Sequence, residues 1–462
     1  MPTDNFNTIP LKPALIDNLQ TLGYQQLTTI QAESLPVILA GKDVIAQAKT
    51  GSGKTAAFSL GLLHHLQEKK FRVQALVLCP TRELADQVAK EIRRLARAIH
   101  NIKVLTLCGG SPMGPQIASL EHGAHIIVGT PGRIEDHLKK GRLSLANLQT
   151  LVLDEADRML EMGFEETLTS IFASCPSKKQ CLLFSATFPK QIVSLSEHIM
   201  VDPVTIKVES THDHSSIRQH FYQVESDNQR LVAVQQLLST YQPESTVIFC
   251  TTKVQTQEVS DLLYAQGVSC QALHGDLEQR QRDQTMICFA NKSINVLVAT
   301  DVAARGLDVD NLDMVINYYL ARDPEIHVHR IGRTGRAGSQ GMACSLISDK
   351  EARKVMSLES YLGQEISTEP LPASSSDNTL MSKAKMVTLQ IDGGKKQKLR
   401  PGDILGAFTA NQQLSADDIG KISVTALSTY VAVKRAVANK ALKIIANGKL
   451  KGRSFRIRKL TL

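Results

Sequence analysis

Tryptophan is absent from the 462 residues, and aromatic residues together make up only 4% of them. A protein that recognises bases mainly by stacking needs aromatic platforms, and this chain has few. No run of eighteen uncharged apolar residues occurs, which excludes a membrane-spanning helix. The segment from Met1 to Lys12 lacks a basic stretch followed by an apolar core, so no secretory leader is expected. The eight cysteines never form CxxC and have no paired histidine spacing, and several close apolar runs, as in LVLCP (76–80) and VIFCT (247–251). They read as buried reduced thiols of a cytoplasmic protein, not as a zinc site.

With 42% apolar and 21% charged residues, the composition is that of a globular protein, and the length suits two or three domains. The formal net charge of +8 is uneven: residues 383–462 hold 17 Lys and Arg against 4 Asp, while the rest of the chain is slightly acidic. Such asymmetry marks a segment that docks on a polyanion, most often nucleic acid. The bland alternative is a solvated basic face, but KKQKLR (395–400) and KLKGRSFRIRK (449–459) concentrate the charge into two runs.

Residues 1–208 alternate short apolar runs with helical patterns: DVIAQA (43–48), ALVLC (75–79), HIIVG (125–129), LQTLVLD (148–154) and CLLFS (181–185). Runs without strict alternation suit parallel strands covered by helices on both faces. Polar residues 209–216 read as a linker, and 217–362 repeat the rhythm in a second α/β domain. Residues 363–382, containing STEPLPASSSDN, read as a second linker. The final segment, 383–462, reads β-α-β-β-α-β, with strands at 387–392, 420–425, 429–433 and 454–460 and helices at 401–408 and 434–447. The expected fold is therefore α/β: two parallel-sheet domains in tandem and a C-terminal α+β domain.

AKTGSGKT, from Ala48 through Lys49, Thr50, Gly51, Ser52 and Gly53 to Lys54 and Thr55, lies between an apolar strand and a helical pattern. Glycines let backbone N–H groups wrap a phosphate, and the helix start adds its dipole. Lys54 would reach the outer phosphates and the Thr55 hydroxyl a Mg²⁺ ion. The pattern ordinarily opens with Gly, and this chain has Ala48. About a hundred residues on, LVLDEAD (151–157) ends a buried strand in two acids. Asp154 suits a Mg²⁺ held largely through water, and Glu155 suits the group that activates the attacking water. Adjacent acids after a strand also commonly just begin a helix; the preceding phosphate loop favours the chemical reading.

With Asp154-Glu155-Ala156-Asp157 in place, residues 6 to about 350 resemble the DEAD-box RNA helicases, on PTRELA (80–85), GG (109–110), TPGR (130–133), SAT (185–187), IFC (248–250), ATDVAARGLD (299–308) and HRIGRTGR (329–336). The resemblance implies two RecA-like domains that close on ATP and RNA. It implies that Phe6 and Gln31 recognise adenine, that Asp308 contacts the ribose, and that Arg333 and Arg336 neutralise charge on the γ-phosphate. A simple surface charge run is the alternative for Arg330, Arg333 and Arg336. Asp157, Ser185, Thr187 and His329 are implied to couple nucleotide to RNA. RNA contacts transfer to Pro80, Thr81, Arg82, Gly110, Thr130, Pro131, Gly132, Arg133, Thr300, Asp301, Arg305 and Gly306. These residues suit phosphate and sugar contacts more than base reading.

The tail resembles an RNA recognition motif, although ALSTYVAV (426–433) carries one aromatic where that motif's third strand has several. Stacking on its sheet is therefore not expected. Lys395, Lys396, Lys398, Arg400, Lys449, Lys451, Arg453, Arg456 and Arg458 are the candidate contacts. Core and tail together resemble one bacterial branch of the family, implying a cytoplasmic, monomeric, ATP- and Mg²⁺-dependent enzyme of large (50S) ribosomal subunit assembly. Its partners would be pre-50S particles and a peptidyl-transferase-region hairpin of 23S rRNA, with no membrane involved. An ATP-gated RNA clamp or chaperone with little unwinding fits the same motifs; a DNA helicase fits them poorly.

Overall fold

The structure is a computed structural model that describes residues 5–48, 51–188, 190–208, 217–304, 312–335, 341–372, 381–410 and 413–460. Its internal contacts divide the chain into two compact units, residues 1–212 and 213–462. No helix among the described residues is long and apolar enough to cross a membrane.

The first unit is a parallel sheet of β1 (Val44–Gln47), β2 (Ala75–Leu78), β3 (Val104–Leu107), β4 (Ile126–Gly129), β5 (Thr150–Asp154), β6 (Gln180–Ser185) and β7 (Val204–Lys207), in the order β3-β4-β2-β5-β6-β1-β7. Its strands feed two apolar cores. Val77, Val152, Leu182 and Phe184 face one, while Leu76, Leu78, Leu151, Leu153 and Leu183 face the other. Successive strand side chains point to opposite faces, so helices on both sides demand the unbroken apolar runs read in the sequence.

The second unit opens with another parallel sheet. It contains β8 (Ile217–Gln223), β9 (Thr246–Cys250), β10 (Cys270–Leu273), β11 (Val296–Thr300), β12 (Met314–Asn317) and β13 (Gly341–Ile347), ordered β10-β11-β9-β12-β13-β8. Ile248, Val298 and Ile316 face one core; Val247, Leu297 and Val315 face the other. The strand order reverses beside β9, as it does beside β5 and β6 in the first unit. Open parallel sheets bind ligands at the carboxyl ends of their strands near such reversals.

The tail is an antiparallel sheet of β14 (Met386–Ile391), β15 (Ile419–Val424), β16 (Thr429–Lys434) and β17 (Ile457–Lys459), ordered β15-β16-β14-β17. Leu389, Ile391, Val431 and Val433 pack under the helices Pro401–Thr409 and Ala438–Asn447. The second helix starts later than the periodicity predicts. Lys434 remains in β16, paired with Met386, and Arg435–Val437 forms a 3₁₀ turn. The last strand is also shorter than 454–460.

The opposite sheet face is polar yet covered. Thr388 is 1% exposed, and its hydroxyl meets Asn291 Nδ2 at 3.1 Å and Ser293 Oγ at 2.6 Å. The Ala384 N–H donates to Ser269 Oγ, Lys385 pairs with Glu244, and Leu460 packs on the core that contains Val247. These partners precede β9, β10 and β11, so the tail sits at the end of that sheet opposite its motif loops. Of the Ser/Pro-rich segment between them, the described flanks also pack on this sheet. The Glu369 N–H donates to the Phe221 carbonyl, and Met381 is buried.

Candidate functional site

The phosphate loop leaves β1 and enters the helix Lys54–His65. Gly51 and Gly53 have φ of 85° and 96°, in the left-handed region that favours glycine. Ala48 has no positive φ, so its methyl group costs no strain there. A Cβ at Gly53 would also meet Gln31 Nε2 at 2.5 Å. The Gln31 amide donates to the Gly53 carbonyl at 3.2 Å and accepts from the Thr28 N–H at 3.0 Å, so this buried residue joins its own helix start to the loop. Lys54 is buried, with Nζ on the Ala48 carbonyl at 2.6 Å; Thr55 is half-buried on the next step of the helix. Phe6 is buried edge-on to Tyr24 with ring centres 5.8 Å apart. Lys49 and Thr50 lie outside the described residues.

Asp154 ends β5, the second strand over from β1, and is 3% exposed. Burial pushes its carboxyl pKa up to about 7, against the opposing pull of Lys54; Glu155 raises it further. Glu155 sits at φ 52° and ψ 54°, a left-handed conformation that costs a non-glycine residue about 1–2 kcal/mol. Such strain is held only where the surroundings over-determine it, commonly at functional sites. Beyond it, Asp157 Oδ2 accepts from both the N–H and the hydroxyl of Thr187 at 3.0 Å, and the Ser185 hydroxyl donates to the Thr187 carbonyl at 2.8 Å. Asp157, Ser185 and Thr187 thus form one network linking the carboxyl ends of β5 and β6.

Thr55 and Asp154 supply oxygen donors, the set that Mg²⁺ prefers. No group of three or more metal-ligating side chains occurs among the described residues.

A second constellation gathers on the same unit. The Arg82 Nη2 donates to Ser111 Oγ at 3.2 Å, and Arg133 Nη1 to the Ser111 carbonyl at 3.1 Å. Gly110 has φ 69°, and a Cβ there would meet Arg82 Nη1 at 2.6 Å. The guanidinium therefore lies over a backbone that must be glycine. Arg82 Nε and Nη1 are buried without hydrogen-bond partners among the described residues, a costly state that an incoming anion would relieve. Pro80 and Thr81 lead into the helix Arg82–Leu95, whose Leu84 N–H the Thr81 hydroxyl accepts at 3.2 Å. Thr130, Pro131, Gly132 and Arg133 form the start of the helix Pro131–Lys139, and Thr130 Oγ1 accepts from the Gly109 N–H. Ser111, which receives both arginines, was not singled out from sequence; its place directly after the paired glycines was the available signal.

In the second unit, Thr300 caps the short helix Asp301–Ala304. Asp301 is committed internally: its two carboxylate oxygens accept from Arg330 Nε and Nη2 at 2.6 and 2.8 Å. Arg330 Nη1 donates to Asn317 Oδ1 and to the Tyr319 carbonyl, and the guanidinium lies 5.1 Å from the Phe249 ring centre. Arg330 is therefore a buried strut and not part of a surface charge run. His329 and Arg333 are half-buried at the end of the helix Pro324–Ile331 and just beyond it. Arg305, Gly306, Asp308 and Arg336 lie outside the described residues.

In the tail, the turn Lys395–Gln397 after β14 hydrogen-bonds through Lys395 and Lys396 N–H groups to the Thr425 and Ala426 carbonyls. The Asp392 N–H donates to the Arg456 carbonyl, and Lys451 Nζ to the Lys398 carbonyl at 2.8 Å. These bonds bring the two basic runs, far apart in sequence, to one end of the sheet. Lys451 pairs with Asp403 and Arg458 with Asp392. Lys395, Lys396, Lys398, Arg400, Lys449, Arg453 and Arg456 are exposed.

Three family descriptions match: DEAD/DEAH box helicase over residues 28–195, helicase conserved C-terminal domain over 229–338, and DbpA RNA binding domain over 388–459. The chain is 54% identical to the ATP-dependent RNA helicase DbpA of Escherichia coli (strain K12), covering 97% of this chain and 98% of that one. It is 36% identical to the protein of the same name from Bacillus subtilis (strain 168), covering 98% and 99%. Among solved structures, S. cerevisiae Dbp5 bound to RNA and ADP BeF3 superposes with a TM-score of 0.72 at 31% identity, over 80% of this chain and 96% of that one.

Proposed function

Because the chain belongs to the DEAD-box ATP-dependent RNA helicases and carries a DbpA RNA-binding domain, we propose that it separates short RNA duplexes during assembly of the large (50S) ribosomal subunit. The tail directs it to a 23S rRNA hairpin near the peptidyl-transferase centre, within pre-50S particles of the cytoplasm, and the enzyme acts as a monomer. The observation that carries this reading is that the two basic runs gather exposed cations at one end of the tail. Clustered lysines and arginines bind phosphates with strong salt dependence. With the tail's polar sheet face buried, the grip is on hairpin shape and backbone.

In this reading Lys54 exchanges the Ala48 carbonyl for the outer phosphates of ATP, and Gln31 recognises adenine from beside Gly53. Phe6 packs at the same nucleotide. Thr55 and, through water, Asp154 would hold Mg²⁺, which would neutralise phosphate charge when bound. Glu155 orients and deprotonates the attacking water. Arg333 and Arg336 come from the other domain, so hydrolysis requires closure. Asp157, Ser185 and Thr187, with His329, report that closure to the RNA side. Arg82, Gly110 and Thr130–Arg133 hold one strand by its backbone, and its partner is released. A neighbour solved with RNA and ADP BeF3 together supports occupancy of both sites at once.

The test is ATPase rate with a 23S fragment carrying the hairpin, with 16S rRNA and with unrelated RNA, at one stated salt concentration. Stimulation confined to the 23S fragment is expected, and lost on deleting residues 383–462. Equal stimulation by all three reduces the tail to a source of charge. Stimulation without strand separation leaves an ATP-gated clamp.

A further inference from the structure

Two buried polar residues lie behind the RNA-facing loops and have no part in the chemistry described so far. Gln116, on the helix Met113–Glu121, donates from Nε2 to the Cys108 carbonyl at 3.1 Å. His137, in the last turn of the helix Pro131–Lys139, lies with Nε2 3.2 Å from Gln116 Oε1. Both are buried. The Cys108 carbonyl fixes the orientation of the amide, because a flipped Gln116 would set oxygen against oxygen. Gln116 Oε1 then faces His137, so His137 must carry its proton on Nε2. Its Nδ1 is buried and has no partner among the described residues, which suits a nitrogen that carries no proton. Burial, then the positive charge of Arg133, push the His137 pKa down and keep it neutral.

Cys108 directly precedes the Gly109–Ser111 loop, and Thr130–Arg133 is the start of the helix that carries His137. Two other bonds join loop and helix: Gly109 N–H to Thr130 Oγ1 at 3.3 Å, and Arg133 to the Ser111 carbonyl. The second uses a guanidinium that an RNA phosphate would claim. The Gln116–His137 bridge uses no group that RNA needs, so it survives binding. We propose that Gln116 and His137 are positioning residues for RNA, holding the Gly109–Ser111 loop at the spacing from Thr130–Arg133 that an RNA backbone must span. The inference rests on reading Arg82, Gly110 and Thr130–Arg133 as RNA contacts.

The test uses the full-length protein and a single-stranded RNA oligonucleotide at fixed salt. His137→Leu and Gln116→Leu should each raise the RNA concentration for half-maximal ATPase stimulation about tenfold, the scale of one lost buried hydrogen bond. KM for ATP and kcat at saturating RNA should move less than twofold. His137→Gln, which restores a donor, should return RNA half-saturation to within about twofold of the parent, again small against one hydrogen bond. The double leucine variant should be no weaker than either single one, because both break one bridge. Thermal melting reports folding, and Gln116→Met replaces a leucine variant that does not fold. The bridge is wrong if folded single variants keep parental RNA half-saturation, if His137→Gln is as weak as His137→Leu, or if the two losses add. Arg133→Ala separates the premises: an unchanged RNA response there removes the RNA-contact reading itself.

Discussion

The two parallel-sheet domains are built alike, but Arg82 of the first and Arg330 of the second are committed in opposite ways. In the first, Arg82 covers Gly110 with two N–H positions unpartnered. In the second, Arg330 spends its donors on Asp301, Asn317 and the Tyr319 carbonyl. Arg230, 1% exposed, likewise donates to the Tyr318 and Leu346 carbonyls, Ser348 and Glu351. Burial alone therefore does not mark a ligand-binding arginine. The better mark is two unpartnered nitrogens on one guanidinium, as on Arg82 and unlike Arg230, where only Nε lacks a hydrogen bond among the described residues, because leaving donors buried is costly until something accepts them. Arg230 and Arg330 also share one segment, Tyr318–Leu320, since Glu351 accepts from the Leu320 N–H. The second domain thereby holds its ATD and HRIGR motifs in fixed relation.

This contrast separates losses of function from losses of fold. The largest expected effect is at the strained acid of the first domain. Glu155→Gln should cut RNA-stimulated turnover about 10²–10⁴-fold, with the melting temperature unchanged; rapid turnover would dismiss Glu155 as the water-activating group. Next, Arg330→Met should destabilise the protein by about 3–5 kcal/mol, the usual result of orphaning one member of a buried ion pair. Chemical denaturation measures this, and a loss below about 1 kcal/mol, the range of surface ion pairs, would deny its role as a strut. Arg82→Met should do the reverse, weakening RNA binding about tenfold, as for one charge-assisted hydrogen bond, without loss of stability. If stability fell instead, the two domains would not differ as described. The smallest effect concerns Asp154. Its pKa of about 7 leaves it partly protonated in neutral solution, and binding Mg²⁺ with nucleotide favours the carboxylate. Proton release on binding should be larger at pH 6.5 than at pH 8, as calorimetry in buffers of different ionisation enthalpy will read. Equal release at both would assign the proton elsewhere.

Much of the fold was legible. Apolar runs without alternation announced parallel strands covered on both faces, and alternate residues such as Val152 and Leu153 do feed two cores. The tail helix was read four residues early, because Lys434 and its neighbours fit a helical pattern while pairing with Met386 keeps Lys434 in the strand. The phosphate loop was proposed from its own residues, but that Ala48 fits there without strain was visible only in its backbone conformation. The fate of Arg330 could not, since three arginines within HRIGRTGR look alike until one is seen to turn inward.

By itself, then, the sequence determined those features whose physics is local. A strand that ends in a glycine loop and a helix start, or in paired acids, carries its chemistry within a few consecutive residues. Tertiary structure alone decided which charges are satisfied. Asp301 meets Arg330 across 29 positions, and Thr388 meets Ser293 across 95. The partner of a buried polar group depends on which distant segments folding brings against it, and no local pattern records that.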